Sequence, residues 1–397
     1  MPAVSRMISP TRIAILGATG SIGTQALDVV RDLRQAGHPI RVVALAAGRN
    51  VEALAARVVE FGARCAGVAG PAEADRLQRL VPPTTEVVYG SEGLAYLSSL
   101  SDVDLVLNAV VGAAGLVPTL SALGAGKRLA LANKESLVIG GTLVMQARRR
   151  PDQIIPVDSE HAALFQILGG DTSREVERAW ITASGGPFRS RPLAELSTVT
   201  PAEALAHPVW PMGRRISVDS ATLANKAFEV IEAHHLFSLP WERIGVLIHP
   251  RAQVHALVEF ADGTMLAQLA PPDMRIPIQS AITYPTRLPT RTHRIALPEL
   301  EVSFDVLVPA QNPAFGAILE AGMTGGTAPA VANAADEVLV EAFLCGEIPF
   351  TAIAEGITSV LSDHRSVRVQ DLGDVLSADK WARERAREVV ARRTRSV

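Results

Sequence analysis

Cysteine is nearly absent from this sequence, since Cys65 and Cys345 are the only two in 397 residues. Two thiols cannot form a disulfide framework or a thiolate metal site, and this scarcity favours a protein of the reducing cytoplasm. We expect either cysteine to lie in the packed core.

A strong excess of one charge and long apolar runs are absent as well. The formal net charge is −3, so no basic field for nucleic acid is expected, and the C-terminal run "RRTRSV" is interpreted as a solvated tail. No apolar stretch is long enough to span a bilayer, and the N-terminus lacks the apolar core of a signal peptide. The sequence therefore predicts a cytoplasmic protein that binds neither nucleic acid nor membranes.

What the chain does contain is an alternation of strand-like and helix-like segments. Between Arg12 and about Ile139, runs such as "RIAILG" and "VDLVLNAVVG" alternate with helical runs, which predicts an α/β fold with a Rossmann-like, doubly wound parallel sheet. Later strands, two of them joined by a turn at Asp262-Gly263, predict an α+β region, and helical runs end the chain. We predict an N-terminal domain over 1–157, an α+β domain over 158–290, a linker over 291–312 and a small C-terminal helical domain over 313–397.

A glycine-rich segment, "GATGSIG", follows the first predicted strand and opens a helix. Backbone N–H groups at such a helix N-terminus can bind a pyrophosphate, although the same pattern also occurs in plain strand-to-helix turns. After the next strand, Arg49 stands where NAD-binding proteins carry an acidic residue. An arginine there favours the 2′-phosphate of NADPH, and the alternative is a solvated loop cation.

Polar residues also follow a later strand of this region, in "LALANKES". Asn133, Lys134 and Glu135 stand at the strand end where open α/β sheets bind ligands. Lys134 is suited to polarise a substrate oxygen. The alternative is that Asn133 or Glu135 only caps the next helix.

The stretch "HPVWPMG" predicts an irregular segment that contains Trp210. A surface loop would not normally carry such a large apolar side chain. A lid over 205–215 that closes on a ligand explains it, and the alternative is core packing under a fixed loop. Directly afterwards, "SVDSATLANKAFEVIEAHHLF" has helical spacing.

In that stretch we expect Asn225, Lys226 and Glu229 on one helix face, with Ser220 at or just before the helix start. Taken alone, Lys226 and Glu229 are typical of an exposed ion pair.

Four polar residues stand together after an apolar run in "IIPVDSEHAALFQ". Asp158 or Ser159 can cap a helix and Glu160 suits its positive end, so a simple helix start is one interpretation. Asp158 and Glu160, with Glu229 as a third carboxylate, would also form an oxygen cage for Mg²⁺ or Mn²⁺.

Ser184 in "TASGGPF" follows another strand, in a plain turn or an anion-binding loop. Donors suited to a substrate phosphate are Ser159, Ser184, His207, Ser220, Asn225 and Lys226.

Together these motifs resemble the 1-deoxy-D-xylulose 5-phosphate reductoisomerase family of the non-mevalonate isoprenoid pathway. The matching segments are "GATGSIG", "AGRN", "NKESLV", "PVDSEHAALFQ", "TASGGPF", "HPVWPMGRRISVDSATLANKAFEVIEAHHLF", "VLIHP" and "LAPPDMRIPIQ". The resemblance implies an enzyme that rearranges 1-deoxy-D-xylulose 5-phosphate and reduces the product to 2-C-methyl-D-erythritol 4-phosphate. It implies NADPH and a divalent cation (Mn²⁺, Mg²⁺ or Co²⁺) as cofactors, and a homodimer.

Carried onto matching positions, the resemblance also implies a role for individual residues. The implied metal ligands are Asp158, Glu160 and Glu229, which form the catalytic set with Lys134. The implied substrate contacts are Lys134, Ser159, Glu160, Ser184, His207, Trp210, Ser220, Asn225, Lys226 and Glu229. The implied NADPH contacts are Thr19, Gly20, Ser21, Ile22, Gly48, Arg49, Asn50, Asn133, Glu135, Gly213 and Met274. Mild departures from the family pattern are Ala18, Arg49, Ala162 and Pro211, and Pro211 bears on the flexibility of the lid.

Two other functions stay open at this point. A semialdehyde or homoserine dehydrogenase shares a Rossmann half and a mixed second domain, but it needs no set of three carboxylates. A non-catalytic NADPH-binding regulator would bind NADPH without oxidising it when the phosphosugar and metal are added.

Overall fold

A computed structural model describes residues 11–169, 175–210 and 212–394. Pro211 and the last three residues of the predicted basic tail lie outside these ranges. The chain divides into two compact units. The first contains the residues up to Asn133, Ala147–Val157 and Met274–Thr292, and the second contains Lys134–Gln146, Asp158–Asp273 and the residues from His293 onward. In the described ranges no helix has both the length and the apolar composition needed to cross a membrane.

The strands are β1 (Thr11–Leu16), β2 (Ile40–Ala46), β3 (Cys65–Val68), β4 (Glu86–Tyr89), β5 (Leu105–Asn108), β6 (Arg128–Leu131), β7 (Ile154–Pro156), β8 (Val176–Ala183), β9 (Ile244–Ile248), β10 (Val254–Phe260), β11 (Met265–Leu269) and β12 (Asp305–Val306). The helices are α1 (Ser21–Gln35), α2 (Val51–Phe61), α3 (Pro71–Gln78), α4 (Gly90–Ser99), α5 (Leu116–Gly124), α6 (Glu135–Ala147), α7 (Ser159–Leu168), α8 (Pro201–Leu205), α9 (Arg214–Thr222), α10 (Ala224–Phe237), α11 (Arg275–Thr283), α12 (Pro313–Thr324), α13 (Ala328–Leu344), α14 (Thr351–Ser362) and α15 (Leu372–Thr394).

The first unit is built on a parallel sheet with strand order β4-β3-β2-β1-β5-β6-β7. Its central strands are almost wholly apolar and buried, as parallel strands covered on both faces must be. The strand order reverses between β1 and β5, where doubly wound sheets bind their ligands. The α/β fold class with a Rossmann-like sheet, predicted from the sequence, is confirmed.

Two glycines let the chain turn tightly after β1. A Cβ atom on Gly17 would lie 2.2 Å from the Ala109 carbonyl oxygen, and one on Gly23 would lie 2.2 Å from the Gly17 carbonyl oxygen. Gly17 also has a φ of +84°, a conformation that favours glycine. These contacts seat the start of α1 against the end of β1.

The second unit contains a mixed sheet with order β11-β10-β8-β9-β12, in which β8 and β9 are parallel and the other pairs antiparallel. The predicted hairpin between β10 and β11 is confirmed, and Gly263 in its turn has a φ of +80°. Helices α12 to α15 follow as the predicted helical C-terminal region. The predicted domain boundaries stay a prediction.

Three local expectations were incomplete or wrong. The sequence patterns did not identify β4, whose four residues are partly exposed, or the two-residue β12. Cys65 is buried as expected, whereas Cys345 is exposed after the last turn of α13.

A buried charge network ties α9 to the C-terminal helices. Arg215 on α9 lies 3.2 Å from Asp336 and 3.0 Å from Glu337, both on α13, and 3.5 Å from Asp219 on its own helix. Arg383 on α15 is 2.6 Å from Glu337. Because Asp219 and Asp336 are 5% and 0% exposed, two carboxyl groups of the network are buried around one guanidinium.

The two neighbours on α13 respond to this burial in opposite ways. Burial is the main cause that raises the pKa of Asp336 to about 6, although Arg215 acts against it. At Glu337 burial also opposes ionisation, but Arg215 and Arg383 outweigh it and hold the pKa below its ordinary value. Ionisation of Asp336 therefore lowers the free energy of unfolding, whereas ionisation of Glu337 raises it.

We expect Asp336→Asn to stabilise the protein at pH 7.5 by about 1–3 kcal/mol and to change little at pH 4. The folded-state pKa of Asp336 lies near 6 and the reference value is 3.8, so its cost grows between about pH 4 and pH 6 and persists above. Asparagine does not titrate, so the cost of ionising a buried carboxyl group at this position is removed. Thermal unfolding across this pH range measures the effect.

Glu337→Gln is the matched control for that variant. A glutamate with a lowered pKa contributes stability above about pH 4.5 and loses it as pH falls, so this variant should be less stable than the wild type at pH 7.5. Equal destabilisation by both substitutions at pH 7.5 would contradict the conclusion that ionised Asp336 lowers the stability of the fold.

Candidate active site

The start of helix α7 positions two of the predicted ligands. Asp158 occupies the N-cap position but makes no side-chain capping bond, and its carboxylate lies 2.6 Å from Lys134 Nζ. Ser159 Oγ donates to Glu160 Oε2 at 2.6 Å. The predicted helix start is confirmed. The capping interpretation of Asp158 is wrong, because a buried ammonium group takes its carboxylate.

Two buried lysines lie among three carboxylates. Lys134 Nζ is 2.6 Å from Asp158 Oδ2 and 2.8 Å from Glu229 Oε1. Lys226 Nζ is 2.9 Å from Glu160 Oε1 and also binds Glu229. Because Lys226 and Glu229 are 3% and 1% exposed, the interpretation as an exposed ion pair is wrong. Each charge in the cluster has an opposite charge beside it, which offsets the cost of burial.

Further hydrogen bonds fix the ends of these side chains. Lys134 Nζ donates to Asn225 Oδ1 at 2.7 Å, and Asn225 Nδ2 donates to Glu229 Oε1 at 2.5 Å. Lys226 Nζ donates to the Thr182 carbonyl oxygen at the end of β8, at 2.5 Å. The structure thus brings the predicted residues of α10 to one place.

Burial and charge act in opposite directions on this cluster. Burial raises the pKa of Asp158, but the Lys134 ammonium outweighs it and the pKa lies well below its ordinary value. At Glu160, burial and then repulsion from Glu229 raise the pKa to about 7, although Lys226 lowers it. Burial lowers the pKa of Lys134, but Asp158 and Glu229 raise it well above its ordinary value. Repulsion among the carboxylates therefore persists beside two ammonium groups.

Two overlapping sets of side chains could hold a metal ion. The ligand atoms of Asp158, Glu160 and Glu229 lie within 4.8 Å of one another, and so do those of Asp158, His161 and Glu232. The side chains of Asp158 and Glu160 keep 14% exposure, whereas those of His161 and Glu232 keep 0% and 1%. The first set is the better fit, because it offers hard oxygen donors that a cation from solvent can reach.

His161 and Glu232 lie beside the first set, and neither was predicted as a site residue. His161 Nε2 is 2.9 Å from the Glu229 carbonyl oxygen, and Nδ1 is 3.6 Å from Glu232. Burial lowers the pKa of His161 and raises that of Glu232 well above its ordinary value, with repulsion from Asp158 adding to the second shift. Glu232 follows Glu229 by three residues on α10, and this helical spacing was the signal that could have identified it.

A second group of donors lies after β8. His207 Nε2 is 3.0 Å from Ser184 Oγ, and His207 Nδ1 accepts a hydrogen bond from the Trp210 backbone N–H at 2.9 Å. Because Nδ1 accepts, the ring proton is on Nε2 and is donated to Ser184. Burial lowers the pKa of His207, which favours this neutral form.

Gly186 brings the Ser184 loop against Ser220. Its φ is +67°, and a Cβ atom there would lie 2.6 Å from the Ser220 carbonyl oxygen. Ser220 lies within α9, so its predicted place at or before the start of the Lys226 helix is wrong. Two helices meet at Leu223, which has a φ of +60°, and a leucine in that conformation gives no signal in the sequence.

Trp210 is half-buried, with its ring centroid 6.3 Å from that of His255. It is therefore neither a core residue nor a free surface residue. Pro211, the departure noted in the predicted lid, lies outside the described residues, and the lid over 205–215 stays a prediction.

In the first unit, predicted NADPH contacts follow β1 and β2. Gly20 is the N-cap residue of α1 and supplies no side-chain cap, so the first backbone N–H groups of a 15-residue helix have no capping side chain. Asn50 caps α2 by accepting from the Ala53 N–H at 3.3 Å, and Arg49 before it is exposed. The other members of this group are Thr19, Ser21, Ile22, Gly48 and, before α11, Met274.

Asn133 has a different environment from the one expected. Its amide Nδ2 donates to the carbonyl oxygens of Val110 and Gly112, at 2.8 and 3.0 Å, and the residue is 1% exposed. Asn108, which belongs to none of the predicted sites, donates to the Gly115 carbonyl oxygen at 2.9 Å. Both asparagines hold the loop after β5, and a buried asparagine at a strand end was the available signal.

The remaining predicted NADPH contacts belong to the second unit. The Glu135 carboxylate lies 3.1 Å from Arg215 Nη1, so it is part of the buried charge network. Gly213 is exposed at the N-cap of α9 and accepts a hydrogen bond from Ser217 Oγ.

Family models match three stretches of the chain. A model described as 1-deoxy-D-xylulose 5-phosphate reductoisomerase covers residues 13–141, and a model of the C-terminal domain of that enzyme covers 154–237. A model described as DXP reductoisomerase C-terminal domain covers 269–385.

Full-length relatives carry the same description. The 1-deoxy-D-xylulose 5-phosphate reductoisomerase of Moorella thermoacetica is 49% identical over 390 residues, which cover 94% of this chain and 97% of that protein. The enzyme of Thermodesulfovibrio yellowstonii is 45% identical over 381 residues, covering 96% and 99%.

Solved structures agree with these matches. The 1-deoxy-D-xylulose 5-phosphate reductoisomerase of Zymomonas mobilis in complex with NADPH gives a TM-score of 0.87 at 39% identity, covering 96% of this chain and 99% of that chain. A DOX-P reductoisomerase in complex with NADPH, fosmidomycin and magnesium gives a TM-score of 0.88 at 37% identity, covering 96% and 98%. The chain therefore belongs to the 1-deoxy-D-xylulose 5-phosphate reductoisomerase family.

Proposed function

We propose that the chain converts 1-deoxy-D-xylulose 5-phosphate to 2-C-methyl-D-erythritol 4-phosphate with NADPH and a divalent cation. The observation that carries the proposal is the set of three carboxylates, Asp158, Glu160 and Glu229, whose ligand atoms lie within 4.8 Å of one another beside two buried lysines. Relatives of the family are solved with NADPH and with magnesium. A simple dehydrogenase needs no such set.

Asp158, Glu160 and Glu229 would hold the cation. When bound, the cation would polarise the substrate's carbonyl and hydroxyl oxygens, and NADPH would supply the hydride. Lys134 is an ammonium group fixed by Asp158 and Asn225, so it stabilises negative charge that develops on a neighbouring substrate oxygen without having to move.

The donors after β8 and on α9 and α10 would bind the substrate phosphate. Neutral His207 donates a hydrogen bond from Nε2–H to Ser184 Oγ, so the Ser184 hydroxyl can turn its own proton toward a phosphate oxygen. Gly186 holds this loop against Ser220. Lys226, which donates to the Thr182 carbonyl oxygen two residues before Ser184, would add positive charge, and Trp210 would cover the substrate and exclude water.

The N-terminus of α1 would bind the NADPH pyrophosphate. Gly20 leaves room above the first turn, since the nearest atom to a Cβ there would be the Gly17 carbonyl oxygen at 3.4 Å. Arg49 is exposed just after β2 and would pair with the 2′-phosphate.

We place the protein in the cytoplasm, as the sequence suggests. Cys65 and Cys345 are both free thiols in the structure, which is consistent with a reducing compartment.

The proposed function is tested by NADPH absorbance in the presence of 1-deoxy-D-xylulose 5-phosphate. We expect oxidation of NADPH with Mg²⁺ or Mn²⁺, complete loss with a chelator, and recovery when either metal is added in excess. NADPH oxidation that is insensitive to the chelator would favour a simple dehydrogenase. Binding of NADPH without oxidation would favour a regulator.

We expect Glu160→Gln to abolish turnover and leave the dissociation constant of NADPH nearly unchanged. The amide keeps the side-chain shape but removes the negative charge that a cation requires. Steady-state kinetics and NADPH fluorescence titration measure the two effects. Glu177→Gln, at an exposed position of β8, is the control and should retain activity. Full metal-dependent activity in Glu160→Gln would remove Glu160 from the metal site.

We further propose a homodimer that forms through β11. This strand lies at one end of the five-stranded sheet, and its residues Met265, Leu266 and Leu269 are 51%, 45% and 39% exposed. An exposed apolar edge strand is a surface on which two sheets pair or pack.

Leu266→Lys should shift the protein from dimer to monomer, because a charge would be buried in the interface. Light scattering coupled to size-exclusion chromatography measures the mass. Val59→Lys, on a helix position that is 58% exposed, is the control and should leave the dimer intact. A monomeric wild type would refute the dimer, and a dimeric Leu266→Lys would refute its location.

A further inference from the structure

The loop between β1 and α1 is bound from the side by an arginine of α2. Arg57 Nη1 donates to the Ala18 carbonyl oxygen at 2.7 Å, and Nη2 donates to Thr24 Oγ1 at 3.1 Å. Thr24 Oγ1 in turn donates to the Gly20 carbonyl oxygen at 2.8 Å. One guanidinium group is thereby connected to two positions of the glycine-rich segment, directly to Ala18 and through Thr24 to Gly20.

These bonds act where backbone packing does not. The ends of the segment are fixed by close contact, because Cβ atoms on Gly17 and Gly23 would lie 2.2 Å from carbonyl oxygens. Around Gly20 the backbone is open, and no side chain caps the helix that starts there. The bonds from Arg57 and Thr24 restrain this open middle part, together with the longer bonds from Gln25 Nε2 to Ser21.

Arg57 also adds charge to the same place. Both of its acceptors are neutral oxygens, so these bonds do not cancel its positive charge. By contrast, Arg31 on α1 binds the carboxylates of Asp28 and Glu60. A positive charge held beside the N-terminus of α1 adds to the field that attracts a pyrophosphate.

We propose that Arg57 is a positioning residue for dinucleotide binding, which holds the glycine-rich loop in the shape that receives the pyrophosphate. This inference rests on the proposed NADPH dependence. Since the pyrophosphate is common to NADPH and NADH, loss of Arg57 weakens both by the same factor. Arg49, which faces the 2′-phosphate in the proposed function, affects NADPH alone. The rearrangement and hydride transfer do not involve Arg57, so KM for NADPH rises while kcat stays near its wild-type value.

Arg57→Gln and Arg57→Lys test this role, with Arg31→Gln as the matched control. Arg31 lies 2.7 Å from Glu60 and also connects α1 with α2, but it does not contact the loop. We expect Arg57→Gln to raise the dissociation constants of NADPH and NADH about tenfold each. Arg57→Lys, which keeps the charge and one donor, should fall between it and the wild type. Arg31→Gln should bind both nucleotides as the wild type does, at a similar loss of thermal stability.

Direct binding by nucleotide fluorescence separates the possible failures. Equal weakening by Arg57→Gln and Arg31→Gln would show that Arg57 only joins two helices, and the inference would fall. Weakening of NADPH alone would place Arg57 at the 2′-phosphate and also overturn it. If the wild type binds neither nucleotide, the proposed function fails together with the inference. If it binds both normally but does not turn over the phosphosugar, only the proposed function fails.

Discussion

The candidate active site depends on the pairing of five charges, of which Lys134, Lys226 and Glu229 are buried. The Lys134 ammonium group holds the pKa of Asp158 well below its ordinary value in spite of burial. The lysines in turn keep their protons only because carboxylates surround them, as the raised pKa of Lys134 indicates. The position of each side chain is therefore a condition for the charge state of the others. Loss of either lysine would leave carboxylates without an opposite charge beside them.

The same principle organises the C-terminal part of the second unit. Arg215 is surrounded by carboxylates from three helices, and it shares that network with Glu135, the residue next to Lys134. Two consecutive residues at the start of α6 therefore enter two different charge networks. Lys134 pairs with the carboxylate cluster, and Glu135 pairs with Arg215. The start of this helix is positioned by charge pairing, so a disturbance of either network is expected to reach Lys134.

Much of the fold could be predicted because its signals are local. Alternating apolar runs and the glycine-rich turn predict the parallel sheet, since strands buried on both faces must be apolar throughout. The carboxylate set was also predictable as a set of residue types, because hard cations require oxygen ligands. What local patterns could not provide is the partner of each charge. Lys134 and Glu229 are 95 residues apart in the sequence, and their 2.8 Å contact depends on tertiary structure. The junction of two helices at Leu223 and the exposure of Cys345 were missed for the same reason.

Charge compensation in the carboxylate cluster is incomplete, and this imbalance connects stability with function. Three carboxylates face two ammonium groups, and burial together with Glu229 raises the pKa of Glu160 to about 7. An arrangement selected only for stability would replace one of the like charges with an apolar or neutral side chain. The surrounding fold must therefore hold these groups together against their repulsion. Rigid support comes from α10, from the Thr182 carbonyl oxygen at the end of β8, and from Asn225 between Lys134 and Glu229. Three carboxylates with ligand atoms within 4.8 Å of one another, two of them reachable from solvent, are the kind of oxygen environment that a divalent cation prefers.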